Sequence, residues 1–310
     1  MQRVEIGENS WFIGEKITLG NHVKIGKNTT IRSSECIIED YCQIGSENTI
    51  LVEGKFHLGN NGFIGNNNNF TAREILFGDY LFLDSNVVVG HGGRFSYDSF
   101  LKVGKGVMIC AWVKLNTNYS ISIGDDVGIG EYVDVWTHGA YPAVLNGFPS
   151  EFGPVEIGSH VWLPAKSTVL ANIKIGDNVV IGVNSLINKN LPAGCFAAGM
   201  PVKILKENLY PNRDPEANAK KLEDIISEYQ KLCNYKQLKA EVNYDKTSEI
   251  LYCNGLAYDT KSMIIQGEPD EIQEDFRDYL RRRGIKFFTG MPFKSIIPEG
   301  YKKLLAFKDE

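Results

Sequence analysis

No stretch of this chain approaches the roughly 18 consecutive apolar residues of a membrane-spanning helix, so the sequence predicts no transmembrane segment. The opening residues, MQRVEIGENS, lack the charged stretch followed by an apolar one that marks an export signal, and this predicts a cytoplasmic protein. Six cysteines are present (Cys36, Cys42, Cys110, Cys195, Cys233, Cys253), but they form no CxxC pair and no cluster with histidine. That excludes a zinc site of the usual spacing and reads the thiols as reduced and structural. There is no block of like charge, and a net charge of -5 with a pI near 5.7 leaves no electrostatic footprint for nucleic acid. No HxxxxH pair is available for a metal-dependent anhydrase, and no glycine-rich phosphate loop precedes the repeats as a nucleotidyltransferase would need. What is present, 310 residues with 43% hydrophobic content, suffices for a sizeable core without disulfides.

The hydrophobic pattern follows neither the helical period of 3.6 nor the strand period of 2. An aliphatic or aromatic residue recurs every six positions within triplets: Leu19, Ile25, Ile31; Ile38, Ile44, Ile50; Leu58, Ile64, Phe70; Phe77, Leu83, Val89; Val103, Ile109, Leu115; Ile123, Ile129, Val135; Ile157, Leu163, Val169; Ile175, Ile181, Ile187. A six-residue unit fits one flat side of a prism, with three units closing a coil and each opening residue pointing inward. The triplets predict a parallel β-solenoid of about eight coils, with a partial coil before them from Val4 to Ile13. Glycine often follows the inward residue, as at Gly26, Gly65 and Gly124, and is expected to ease the turn at a corner. The Asn66 to Asn69 run suits corners or stacked polar ladders. Two long excursions leave the prism, one after Val89 and one between Val135 and Ile157.

The stretch from Ile121 to Leu205 carries a resemblance. Trp136, Thr137 and His138 stand before the long excursion, PVEIGSHVW runs from Pro154 to Trp162, and Lys189, Pro192, Ala198, Gly199, Pro201 and Lys203 close the repeats. In these features the chain resembles the hexapeptide-repeat O-acetyltransferases of the maltose, galactoside and xenobiotic type. The resemblance implies a left-handed parallel β-helix of eight to nine coils, acetyl-CoA as acyl donor, no metal, and a homotrimer with its sites between subunits. Leu163-Pro164-Ala165-Lys166 and Asn172 depart from the family's usual glycines.

A sugar hydroxyl holds its proton far above neutral pH, so its attack on a thioester needs a positioned proton acceptor. An ordinary imidazole, with a pKa of about 6.5, is largely neutral at pH 7 and suits this task. The resemblance carries that role to His138. It also implies that Trp162, Ala165, Lys166, Lys189, Ala198, Gly199 and Lys203 contact CoA, with Trp162 or a backbone N–H near the developing oxyanion. His91 in the smaller excursion, with Tyr141, Asn146 and Phe148 in the larger one, is expected to line the acceptor pocket. His22, His57 and His160 are expected to face solvent.

The repeats end near Ile204, which divides the chain into a hexapeptide-repeat acyltransferase domain, 1–206, and a small α+β domain, 207–310. Asp214 and Pro215 suit the start of a helix, and Asn254-Gly255 joins two strands as a hairpin turn. A second helix is expected from Asp270 to Arg283, stopped by Gly284 and followed by a short strand at Lys286–Phe288. Arg281 to Arg283 read as a solvated helix end. The expected function is acetyl-CoA-dependent O-acetylation of a sugar or glycan in polysaccharide biosynthesis. The alternatives are N-acetylation of an amino sugar and a non-enzymatic trimeric scaffold or glycan-binding module.

Overall fold

A computed structural model of the protein describes residues 4–90, 96–210 and 214–293. The chain divides into two compact units, 1–211 and 212–310. In the first, short strands stack into three parallel sheets that form the faces of a prism. The inward residues fall in register from coil to coil. On the first face Ile25, Ile44, Ile64, Leu83, Ile109, Ile129 and Leu163 pair in succession. The second face stacks Ile31 through Ile187 and the third Leu19 through Ile175 in the same way. From Ile25 onward every triplet residue is buried, and Leu19 packs against the same core. The solenoid has about nine coils, because Val4–Ile6, Trp11–Ile13 and Lys16–Leu19 make a complete first coil.

Two features of the coils differ from the sequence reading. Each side of the prism buries two residues rather than one: Val107 with Ile109, Val113 with Leu115, Val127 with Ile129. The glycines, moreover, are not the residues that turn the corners. The left-handed conformation is taken two residues later, by Asn28, Asn67, Asn178 and Asn184 among others, since asparagine tolerates φ > 0 better than other side chains do. Gly124 instead allows close stacking, for a Cβ there would lie 2.7 Å from the backbone carbon of Gly158 in the next coil. The asparagine run does build a ladder. Asn48 Nδ2 donates to the carbonyls of Gly45 and Gly65 at 2.9 Å each, its Oδ1 accepts from Asn68 N at 2.9 Å, and Asn68 Oδ1 accepts from Val87 N at 2.7 Å. Burial holds the thiols of Cys36, Cys42 and Cys253 up at about 12, which makes them unreactive.

In the second unit, helix α1 (Pro215–Lys236) begins at Asp214, whose carboxylate accepts from the backbone N–H groups of Glu216 and Ala217. A four-stranded antiparallel sheet follows: Val242–Asp245, Ile250–Cys253, Leu256–Asp259 and Ile264–Ile265. Helix α2 (Glu271–Arg281) starts with a reciprocal Asp270/Gln273 capping box and ends sooner than expected, with Gly284 in the left-handed region at φ 80° beyond it. No strand forms at 286–288. Phe287 is buried there, and its carbonyl accepts from Arg277 Nε at 2.8 Å instead of from a neighbouring strand.

The arginine run is a solvated helix end as expected, with Arg282 and Arg283 exposed and Arg281 half-buried, but its charges are paired. Arg281 and Arg282 pair with Asp278 at 3.2 and 3.3 Å, and Arg283 pairs with Glu228 at 3.0 Å while lying over the Tyr279 ring. Arg277 is fully buried, bonded to both Glu274 oxygens and to the carbonyls of Phe287 and Met291. Arg277→Ala is therefore expected to cost about 3–5 kcal/mol by leaving Glu274 uncompensated. It should appear as early urea unfolding of the 212–310 unit with the coils unaffected. An unshifted transition would contradict this.

Candidate active site

The strand Asp134–Trp136 on the second face delivers the chain to the larger excursion. Thr137, fully buried, fastens its root. Its hydroxyl donates to the Asn116 carbonyl at 2.7 Å and accepts from Tyr119 N at 2.9 Å, while its own carbonyl accepts from Gly153 N at 3.0 Å. Both ends of the excursion are thus tied to the prism. A two-rung antiparallel ladder continues the closure, with His138 opposite Phe152 and Gly139 opposite Glu151. A short 3-10 helix, Val144–Asn146, ends at Gly147 with φ 84°.

His138 is half-buried at this root, its Nδ1 2.8 Å from Asn116 Oδ1. Asn116 is itself buried, and its Nδ2 donates to the Gly90 carbonyl at 3.3 Å. That second contact settles the amide's orientation: a carbonyl only accepts, so the NH2 group faces Gly90 and the oxygen faces the imidazole. An amide oxygen also only accepts, so Nδ1 carries a hydrogen and Nε2 is the nitrogen left to exchange a proton. The ring stacks on Phe152 at 6.0 Å and 20° and meets the edge of Trp136 at 6.4 Å and 72°. Tyr119 lies beside Phe152 at 6.3 Å. The result is an imidazole fixed in one tautomer and framed by aromatic rings, with Nε2 as its basic atom.

Asn116 was not anticipated from the sequence. It follows the inward Leu115 one coil before His138, and its register partner is Trp136. Only the coil register identifies it, because nothing in the local KLNTN stretch sets it apart. Asn116→Ala is expected to lower kcat by about 10–100-fold, since a partner that orients a functional imidazole typically carries that much. KM should change little, and the loss should vanish in a His138→Ala background. A raised KM with kcat unchanged would instead mean that Asn116 only contacts substrate.

The residues expected to contact CoA separate into groups. Trp162 points outward from the first face, 39% exposed. Ala165 and Lys166 follow at the corner between the first and second faces, with Lys166 left-handed at φ 62°. The same corner continues upward, as the Ala165 carbonyl accepts from Asn184 N at 3.1 Å and the Gly199 carbonyl accepts from Leu186 N at 3.0 Å. Ala198 pairs with Lys203 on the antiparallel return strand. These residues mark one edge of the prism across its last coils. Lys189 does not join them, since it follows Leu186–Ile187 at the far end of the second face. Asn172 takes a left-handed φ of 60°, a conformation natural to glycine and tolerated by asparagine.

His138 lies in the two-stranded ladder just beyond the second-face strand, whereas Trp162 lies on the first face. Tyr141 is fully exposed, and Asn146 and Phe148 are exposed as well, so in the single chain they line no enclosed pocket among the described residues. His91 lies outside the described residues. His22 and His160 are exposed as expected, whereas His57 is half-buried beside Glu39 at 3.3 Å.

Residues 154–189 match the family described as bacterial transferase hexapeptide (six repeats). The chain is 31% identical over 116 residues to the galactoside O-acetyltransferase of Escherichia coli K12, covering 36% of this chain and 57% of that protein. It thus spans little more than half the length of that relative. It is 26% identical over 127 residues to WcaF of Escherichia coli K12, whose name ties it to acetyl transfer in colanic acid biosynthesis, covering 35% of this chain and 70% of that one. A hexapeptide-repeat acetyltransferase from Vibrio cholerae O1 biovar eltor, solved with acetyl-coenzyme A, superposes with a TM-score of 0.34 at 19% identity, covering 50% of this chain and 72% of that one.

Proposed function

We propose that this hexapeptide-repeat protein transfers the acetyl group of acetyl-CoA to a hydroxyl of a sugar or glycan, with His138 as general base. The Asn116–His138 hydrogen bond carries the reading, because it directs Nδ1–H at Asn116 and leaves Nε2 as the ring's proton-accepting atom. Nε2 takes the acceptor's hydroxyl proton as the oxygen attacks the thioester carbonyl carbon. The C–S bond then breaks, and the imidazolium returns the proton to the departing sulfur. Asn116 holds the ring in the required tautomer through both proton transfers. Trp162 Nε1–H or a backbone N–H beside it would stabilise the oxyanion.

The separation of His138 from the edge bearing Trp162, Ala165, Lys166, Ala198 and Gly199 favours a site completed by a second copy of the chain. A homotrimer meets that need, each subunit's His138 facing the next subunit's donor edge. The exposed apolar side chains of Tyr141, Leu145 and Phe148 would then be covered rather than solvated. The galactoside and colanic acid relatives favour a glycan acceptor over other alcohols.

Mass spectrometry of mono- and oligosaccharides after incubation with the protein and acetyl-CoA tests the proposal. An added acetyl group that mild alkali removes is the expected result, as esters are labile and amides are not. An alkali-stable product would replace it with amino-sugar N-acetylation.

A further inference from the structure

The outward side chains of the first face form a nearly continuous apolar stripe. Phe63, Phe82 and Met108 lie on one side of Gly128, and Trp162, Val180 and Phe196 on the other, all in coil register. Gly128 is the one gap in this stripe. Neither reason that explains the other glycines of the coils applies to it. It is absent from the left-handed positions, and it precedes the inward Ile129 rather than following it at the close-stacking position, which Gly130 occupies.

What a Cβ on Gly128 would meet is specific. The three nearest atoms all belong to the Trp162 indole: Cε3, Cζ3 at 2.6 Å and Cδ2 at 3.7 Å. At Gly124 the obstacle is backbone of the next coil, whereas at Gly128 it is a side chain able to swing aside. The missing Cβ leaves a notch one coil below Trp162, and the six-membered ring of the indole lies in it. Without the notch the ring would have to rotate outward or toward Val180.

We propose that Gly128 is a positioning residue that seats the Trp162 indole for contact with the acyl-donor arm. This rests on the reading of Trp162 as an acetyl-CoA contact. The seat itself is a property of the chain alone, so the two can fail separately.

The test is a double-mutant cycle of Gly128→Ala and Trp162→Ala in the full chain, read by acetyl-CoA KM and kcat and by tryptophan emission without ligand. Subtracting the Trp162→Ala spectrum isolates the emission of Trp162. Gly128→Ala should shift that emission to the red as the ring leaves its notch. It should also raise KM for acetyl-CoA by about tenfold, because a donor contact displaced by about 1 Å weakens binding. In the Trp162→Ala background, Gly128→Ala should have no further effect and should fold normally, as the only obstacle to its Cβ is gone. Unchanged emission, or KM effects that multiply independently, would overturn the proposal. Red-shifted emission with KM unaltered would overturn the donor contact and leave the seat standing. Failure of every form to bind CoA would overturn the underlying reading of the site.

Discussion

Replacing His138 by alanine is expected to slow acetyl transfer by about a thousandfold, within the range that a positioned proton acceptor contributes. The fold should persist, because His138 sits half-buried at the root of the excursion, outside the stacked core. The circular dichroism spectrum and melting midpoint should match the parent. KM for acetyl-CoA should stay within about twofold, since the edge proposed to bind the donor lies apart from the excursion that carries His138. Comparison with Asn116→Ala sharpens the point: the two effects should not add, as Asn116 acts only through the imidazole. A His138→Ala protein that turns over normally would move the base elsewhere, with His91 the next candidate.

Substitution at Gly124 should strongly destabilise the coils. An added Cβ would lie 2.5 Å from Ser159 Oγ, 2.7 Å from Ser159 N and 2.7 Å from the Gly158 carbonyl carbon, and two of these three atoms are backbone. The coil spacing is fixed by parallel hydrogen bonds such as Gly124 N to the Ile157 carbonyl at 2.8 Å, so the coils cannot separate locally without losing them. Gly124→Ala is therefore expected to cost about 3 kcal/mol by overpacking and to lower the melting midpoint by roughly 10 °C. Asn67→Ala, at a left-handed corner with φ 56°, should cost only about 1–2 kcal/mol. Equal costs at the two positions would contradict the division of labour between stacking glycines and turning asparagines.

The contrast between these two positions also shows what could be read from the sequence. The inward residues announced themselves by their spacing because each repeats the same task in every coil, and one register satisfies all of them. The glycine was equally visible, yet its reason was not. A one-dimensional pattern shows that Gly124 follows Ile123, but not that Gly158 lies against it. Asn116 was hidden for the same cause, since its partner His138 is distant in sequence and adjacent only across coils. Gly128 and Trp162 are a third such pair.

Outside the repeats, local signals served well where the chemistry was local. Asp214 with Pro215 started a helix, and Asn254-Gly255 turned a hairpin between paired strands. They were silent where a charge was buried. Nothing local to Arg277 shows that it lies fully enclosed, bonded to Glu274 and to the carbonyls of Phe287 and Met291. Phe287, alternating with Lys286, suggests a strand, but its carbonyl is bound by Arg277.

The proposed reaction needs acetyl-CoA as donor and a hydroxyl-bearing glycan as acceptor. Release of free thiol from acetyl-CoA, followed across a panel of sugars and oligosaccharides with the full chain, tests both at once. The predicted result is release that depends on the acceptor, is strongest for one sugar class, and is lost in His138→Ala. No release with any acceptor, together with no detectable binding of CoA, would contradict it and leave a solenoid that serves as a scaffold or glycan-binding module.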